Sequence, residues 1–272
     1  MMRIVLTGSS SGIGRALAER LLAHDHQVWG LARGDQADFA ARHPGAFFGT
    51  RCDMADWPQV AAAAREILAQ WPAIDGLVTC AGRQGAIGPA TAIDPGQWSA
   101  TVRTNLDGTF HAIRAFHAAL RAGPRRAKVI CFSGGGATKA RPNFSAYGAA
   151  KTAVVRLVET VAEEERDTPL DINAVAPGAI NTRLTDELIA LGPEVVGESE
   201  YRSALRQKEA GGAPLARALD LVEWLLSPAS DGISGHLLSA PWDPWDTLAG
   251  QGQVLHDTES YLLRRTVPKP AT

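Results

Sequence analysis

Arg3-Ile4-Val5-Leu6-Thr7-Gly8-Ser9-Ser10-Ser11-Gly12-Ile13-Gly14 lies near the start of the 272-residue chain and decides how the rest is read. Arg3 to Leu6 reads as a short buried strand, and Gly12 to about Ala23 as a helix. The glycine turn between them puts backbone N–H groups and the positive helix end around one spot, which suits a phosphate. Gly8 allows a tight turn, Gly12 a close backbone approach, and Gly14 close packing of helix on strand. In this strand–turn–helix context the expected ligand is a dinucleotide.

Working outward, strand-like and helix-like segments alternate through the first 175 residues. Further strands are expected at Gln27–Ala32, Ala46–Arg51, Ile74–Thr79, Ala127–Phe132 and Asp171–Val175. Helices are expected from about Gln36 to Arg42, from Trp57 to Gln70 behind an Asp56 cap, and from Asp94 to Ala122 with an interruption near Gly108. Another runs from Ser145 to about Arg166. Short apolar strands separated by helices imply βαβ units and a parallel sheet covered on both faces. Right-handed crossovers then give an α/β, doubly wound, Rossmann-like fold. Residues 183–212 break the rhythm with two polar helices, Arg183–Leu191 and Ser199–Ala210, expected as a substrate lid. A helix at Pro214–Leu226 and a last strand at Gly235–Ser239 follow. From Ala240 to Thr272 the chain is a Trp- and Pro-containing extension, expected to pack on the domain or on a neighbouring subunit. The whole of residues 1–272 reads as a single dinucleotide-binding and catalytic domain.

Composition narrows the function. Hydrophobic residues make up 45% and charged residues 21%, so a sizeable core is expected. A net charge of -2 argues against nucleic acid or an anionic membrane as partner. No apolar run approaches the ~18 residues of a spanning helix, and the early strand leaves no signal peptide. Cys52, Cys80 and Cys131 form no Cys-x-x-Cys pair and read as buried reduced thiols, which points to a cytoplasmic protein. No His/Cys cluster has metal-ligand spacing.

The chemistry centres on Ser145-Ala146-Tyr147-Gly148-Ala149-Ala150-Lys151. Positions i and i+4 share one helix face, so Tyr147 and Lys151 point the same way. A free tyrosine titrates near pH ~10. A neighbouring ammonium favours the phenolate, so the pair is expected to act as a general acid/base on an alcohol or carbonyl.

Thr7-Gly8-x-x-x-Gly12-Ile13-Gly14 together with Tyr147-x-x-x-Lys151 resembles the short-chain dehydrogenase/reductase family, in its compact single-domain branch. Asp53, Ala81-Gly82, Asn105, Ser133 and Pro177-Gly178-Ala179-Ile180-Asn181-Thr182 fit the same pattern, and the likeness is close over residues 3–182. It implies that Tyr147 exchanges a proton, that Lys151 tunes it and binds the nicotinamide ribose, and that Ser133 bonds the substrate oxygen. It implies that Asn105 holds a water leading from Lys151 to solvent. Cofactor contacts are implied for Gly8, Ser10, Ser11, Gly12, Ile13, Gly14, Arg33, Asp53, Met54, Cys80, Ala81, Gly82, Pro177, Gly178, Ile180 and Thr182. Asp53 and Met54 would face adenine, and Ile180 and Thr182 the carboxamide. Three departures stand out. Ser133 precedes Tyr147 by fourteen residues, one more than usual, and the usual place falls on Gly134. Ser133 is retained, with Thr138 and Ser145 as substitutes. Thr79-Cys80-Ala81-Gly82 replaces the usual Asn-Asn-Ala-Gly, and the Trp-containing extension follows the last strand.

The second strand ends Leu31-Ala32-Arg33-Gly34, with no acid at Ala32 to pair with ribose hydroxyls. Arg33 suits a 2′-phosphate, so NADP is expected over NAD, with Asp35 the competing candidate. Substrate contacts are expected from Arg83, Gln84, Thr138, Lys139, Phe144, Asn181, the lid, and Trp242 or Trp245. The expected reaction interconverts a secondary alcohol and a ketone on a polar or hydroxyl-rich small molecule. A nucleotide-retaining epimerase or dehydratase and a non-catalytic NADP-binding regulator are the alternatives. Alanine-rich faces on the helices near 97–122 and 146–166 favour a homodimer or homotetramer.

Overall fold

Residues 4–6 of the first strand are entirely buried, which is possible only if both faces of the strand are covered. The computed structural model, which describes residues 1–266, provides that cover. The chain runs β1 (Arg3–Thr7), α1 (Gly12–Ala23), β2 (Gln27–Ala32), α2 (Ala37–Arg42), β3 (Phe47–Arg51), α3 (Trp57–Gln70) and β4 (Gly76–Thr79). It continues through α4 (Pro95–Val102), a π-helical turn (Arg103–Asp107), α5 (Gly108–Arg121), β5 (Ala127–Phe132), α6 (Ser145–Glu164) and β6 (Leu170–Ala176). Then come α7 (Arg183–Leu191), α8 (Pro193–Val196), α9 (Glu198–Glu209), α10 (Leu215–Leu226), β7 (Leu237–Ser239) and α11 (Gly252–His256).

The seven strands form one parallel sheet in the order β3-β2-β1-β4-β5-β6-β7. Strand side chains alternate between two cores, as a period of two requires. Val5, Leu77, Val129 and Ile172 pack under α3, α5 and α6. Ile4, Leu6, Val78 and Ile130 pack under α1 and α10. The order reverses direction after β1, between β1 and β4. In such sheets the crevice outside the strand C-termini at that switch point holds the ligand.

Local chemistry explains the helix starts. Asp56 and Asp94 accept backbone N–H bonds from Gln59 and Gln97, which caps α3 and α4. The interruption expected near Gly108 is a π turn, which replaces a plain break, and it carries Asn105 on its inner side. Such turns insert an extra residue and recur at functional sites. The fourth and seventh strands begin two residues later than expected, because Ile74-Asp75 and Gly235-His236 are still loop. The extension beyond β7 folds back on the same sheet. Tyr261 O accepts from Leu237 N at 2.8 Å, and Glu159 on α6 accepts from Leu263 N at 2.7 Å.

Candidate active site

The glycine turn is held by backbone contact. Gly8 N donates to Leu31 O at 2.8 Å, and Ala81 N donates to Thr7 Oγ1 at 3.1 Å, tying the ends of β2, β1 and β4 together. A Cβ on Gly8 would fall 2.8 Å from the Ala81 backbone, and one on Gly14 only 2.4 Å from Gly8 O. Gly12 has φ +56° and nothing within 4 Å of where its Cβ would be, so the turn leaves open space there. Ser11 precedes α1 without a side-chain cap, and the first turn holds no acid. The N–H groups of that helix end are therefore free for an anion. The residues present fit a dinucleotide phosphate.

Along the sheet edge from this turn, Tyr147 and Lys151 project from α6 and are 9% and 3% exposed. Lys151 Nζ donates to Phe132 O at 2.8 Å and lies 5.8 Å from the Tyr147 ring centroid. Asn105 is fully buried. Its Nδ2 donates to Arg83 O and Thr101 O at 2.9 Å, and its Oδ1 accepts from Arg83 N at 3.2 Å. Gly82 seats Asn105 and Lys151 together, since a Cβ there would fall 2.8 Å from Asn105 Oδ1 and 3.4 Å from Lys151 Nζ. Ala81-Gly82 thus links the phosphate turn to the buried amine.

Burial, not the ammonium, governs the phenol. Desolvation pushes the Tyr147 pKa up, and the charge that most opposes this is Arg141, not Lys151. This corrects the expectation that Lys151 lowers it: in this state the amine is turned to Phe132 O. Desolvation also brings Lys151 down to about 8.

Comparison with known proteins completes the picture. A family model described as short chain dehydrogenase matches residues 2–190. The chain belongs to the short-chain dehydrogenase/reductase family. A short chain dehydrogenase of Monascus purpureus is 29% identical over 263 residues, covering 93% of this chain and 85% of the relative. The 2,5-dichloro-2,5-cyclohexadiene-1,4-diol dehydrogenase of Sphingobium indicum is 27% identical, covering 87% and 94%. Among solved structures, levodione reductase superimposes with a TM-score of 0.77 at 25% identity, covering 88% of this chain and 95% of that one. Ligand-free aldohexose dehydrogenase of Thermoplasma acidophilum gives 0.76 at 26%, covering 88% and 91%. Like its family, this short-chain dehydrogenase/reductase is an oxidoreductase of CH–OH and C=O groups that uses NAD(P) and small-molecule substrates. Among the described residues no helix is long and apolar enough to cross a membrane.

Within this family member, the loop after β5 sets Gly134 against the phenol and the Ser133 hydroxyl against α6. Ser133 Oγ donates to Lys151 O at 3.4 Å, inside the α6 packing. The residue that meets the phenol is Gly134, where a Cβ would stand 2.4 Å from Tyr147 Oη. The extra residue in the glycine run therefore does not bring the Ser133 hydroxyl to the phenol. Ser145 is engaged by Trp98 Nε1 at 3.2 Å, and Thr138 is exposed.

At the far end of the crevice, Arg33 is exposed at the tip of β2. Ser10 Oγ is 2.8 Å from where a Gly34 side chain would begin, so the two loops face each other. Asp35 bonds Ala37 N at 2.9 Å, starting α2. Asp53 accepts from Ala55 N at 3.0 Å, a local turn, and Met54 is buried beneath Gly108 and His111. Cys80 is half-buried, and desolvation pushes its thiol up to about 12. Pro177 precedes Gly178, which has φ +89° and packs on Pro241 and Ala213. Ile180 is buried and packs with the α10 core. Thr182 stands at the N-cap of α7, yet its hydroxyl makes no cap bond. Ile13 packs partly buried against the same core.

Two expected substrate contacts fall away. Trp245 is 4% exposed, lies beneath Arg217, and donates to Ala240 O. Phe144 is fully buried under Arg141 and against Leu188, Val196 and Ala204 of the 183–212 insertion. Trp242 is 85% exposed. Sequence reading passed over Arg141 and Glu200, which pair across the site mouth. They stand 59 residues apart, and no local motif joins them.

Proposed function

We propose that this protein is an NADP-preferring oxidoreductase that interconverts a secondary alcohol and a ketone on a polar small molecule, with Tyr147 exchanging the proton. The observation that carries the reading is the buried run Tyr147–Lys151–Asn105 beside Gly82, one residue from the Ala81 backbone on which Gly8 packs. It puts a phenol and an amine at the strand ends, continuous with the anion-ready end of α1. The nicotinamide cofactor, when bound, supplies or accepts hydride. Gly12, Ser10, Ser11 and the α1 N–H groups would hold its phosphates. Asp53 and Met54, with Cys80, Ala81 and Gly82, would line its adenine and ribose side. Pro177, Gly178, Ile180 and Thr182 would line its carboxamide side. Lys151, released from Phe132 O, would bind the ribose, and Asn105 would hold the water on the proton path.

A phenol whose pKa burial raises is protonated at neutral pH, the form that donates to a carbonyl oxygen. Reduction therefore starts from the protonation state that the phenol holds at pH 7. The NADP preference rests on an exposed Arg33 next to Gly34, which faces Ser10, an apolar Ala32, and Asp35 committed to the α2 turn. The 183–212 insertion is proposed as a lid, since it rests on Phe144 beside the phenol. Exposed Phe110, Ala118 and Ala149 on α5 and α6 support twofold association through these helices. The test is turnover of a carbonyl panel with NADPH and with NADH. Faster reduction with NADPH, lost in Tyr147→Phe, is expected; undiminished turnover in that variant would refute the assignment.

A further inference from the structure

Arg141 is the charged group at the phenol for which proton exchange gives no work. Its guanidinium lies over the Phe144 ring, 3.7 Å from the centroid. Nη1 donates to Gln84 Oε1 at 3.3 Å and is 3.9 Å from where a side chain on Gly135 would begin. Gly135 adjoins Gly134, which closes on Tyr147 Oη. The remaining donors, Nε at 3.0 Å and Nη2, both engage a single carboxylate oxygen, Oε1 of Glu200 on α9. The Arg141 side chain is only 15% exposed. A guanidinium so far out of water requires an anion, and the fork best accommodates two oxygens in parallel. Glu200 offers it one. Glu200 belongs to the 183–212 insertion, the proposed lid, which also packs on Phe144.

We propose that Arg141 is the substrate-anchoring residue of this site: it takes a carboxylate standing a few atoms from the carbonyl, and Glu200 occupies the guanidinium until that carboxylate displaces it. The proposal rests on the Tyr147 oxidoreductase reading and names the substrate class within it: keto acids and their hydroxy-acid products. Gln84, from the loop after β4, gives the second polar contact. Gly134 and Gly135 carry no side chain, so between guanidinium and phenol the loop presents only backbone.

The test pairs α-, β- and γ-keto acids with their methyl esters, reduced with NADPH by wild type, Arg141→Met and Glu200→Gln. Methionine keeps the apolar contact on Phe144 without the charge. A charge-assisted pair is worth about 10- to 100-fold, so wild type should prefer at least one acid over its ester by that factor in kcat/KM. Arg141→Met should bring the ratio near one through a higher KM for the acid. Glu200→Gln should lower that KM. A ratio that survives Arg141→Met, or a Glu200→Gln variant that raises KM for acid and ester alike, would overturn the proposal. Calorimetric binding of the acid to NADPH-loaded Tyr147→Phe protein, with and without Arg141, separates the two readings. Arg141-dependent binding without any reduction by wild type sinks the oxidoreductase reading and leaves the anchor. Ester reduction without acid preference, and no Arg141-dependent binding, sinks the anchor alone.

Discussion

The turn after β1 and the loop after β5 do the same topological job by different physics. Each leaves a strand at the same sheet edge and leads into a helix that faces the crevice. The first is short and held backbone to backbone: Gly14 on Gly8 O, Gly8 on Ala81. The second runs twelve residues, 133–144; besides one backbone bond, Gly88 N to Asn143 O at 2.8 Å, its own side chains tie it to a distant segment, Arg141 to Glu200 and Asn143 Nδ2 to Val196 O at 3.1 Å. Backbone packing tolerates almost no change and so is fixed by residue type. A side-chain latch can exchange one anion for another. The comparison teaches that the nucleotide end of this site is rigid by construction, while the substrate end is adjustable.

The comparison can be broken at several points. The largest effect is expected from Tyr147→Phe, which should lower kcat by roughly 10²–10⁴-fold, the usual share of a general acid. In wild type the raised phenol pKa sets the pH profile. Carbonyl reduction should stay level through neutral pH, while alcohol oxidation, which needs the phenolate, should climb with pH; initial rates in both directions check this. Next, Gly134→Ala puts a methyl 2.4 Å from Tyr147 Oη and should displace the phenol. A shift of that order costs on the order of 10²-fold in kcat, with NADPH affinity little altered if the two ends are independent. Gly14→Ala should do the reverse. Its methyl meets Gly8 O, the helix must back away, and stability should fall by about 1–3 kcal/mol with weakened cofactor binding, read by denaturant melts with and without NADPH. Arg33→Ala touches neither backbone nor latch and should reduce the NADPH-over-NADH preference by about 10-fold, the value of one charge-assisted contact.

A further effect is a matter of proton linkage. The Lys151 pKa is brought down to about 8 in the fold from its ordinary 10.5, so the unfolded chain holds that proton more tightly. Stability contributed at this residue rises as pH climbs from about 8 to 10.5. Wild type should gain on Lys151→Met across that window in parallel melts.

Much of this was legible in the residues. Apolar strands spaced by helices gave the sheet its content, and β2, α1, α3 and β5 fall at their expected bounds, because fully buried strands and capped helices leave strong local signals. Tyr147 and Lys151 were found by helical spacing, and Asn105 by resemblance. Misreadings cluster where distant residues decide. Phe144 and Trp245 looked available for substrate because both are aromatic and near the site in sequence. Leu188, Val196 and Ala204 close over one, and Arg217 and Trp224 over the other. Offset counting pointed to Gly134 and the need for a hydroxyl kept Ser133; only the turn of the chain after β5 shows that Gly134 lies against the phenol.

The sequence by itself determined the parallel sheet, the phosphate turn and the shared face of Tyr147 and Lys151, because each depends on residues within one strand, turn or helix. The tertiary structure alone decided that burial outweighs the ammonium at the phenol, and that Arg141 stands over the site held by Glu200. Desolvation and ion pairing depend on what lies across a few ångströms of space, and the groups that meet there are tens of residues apart along the chain.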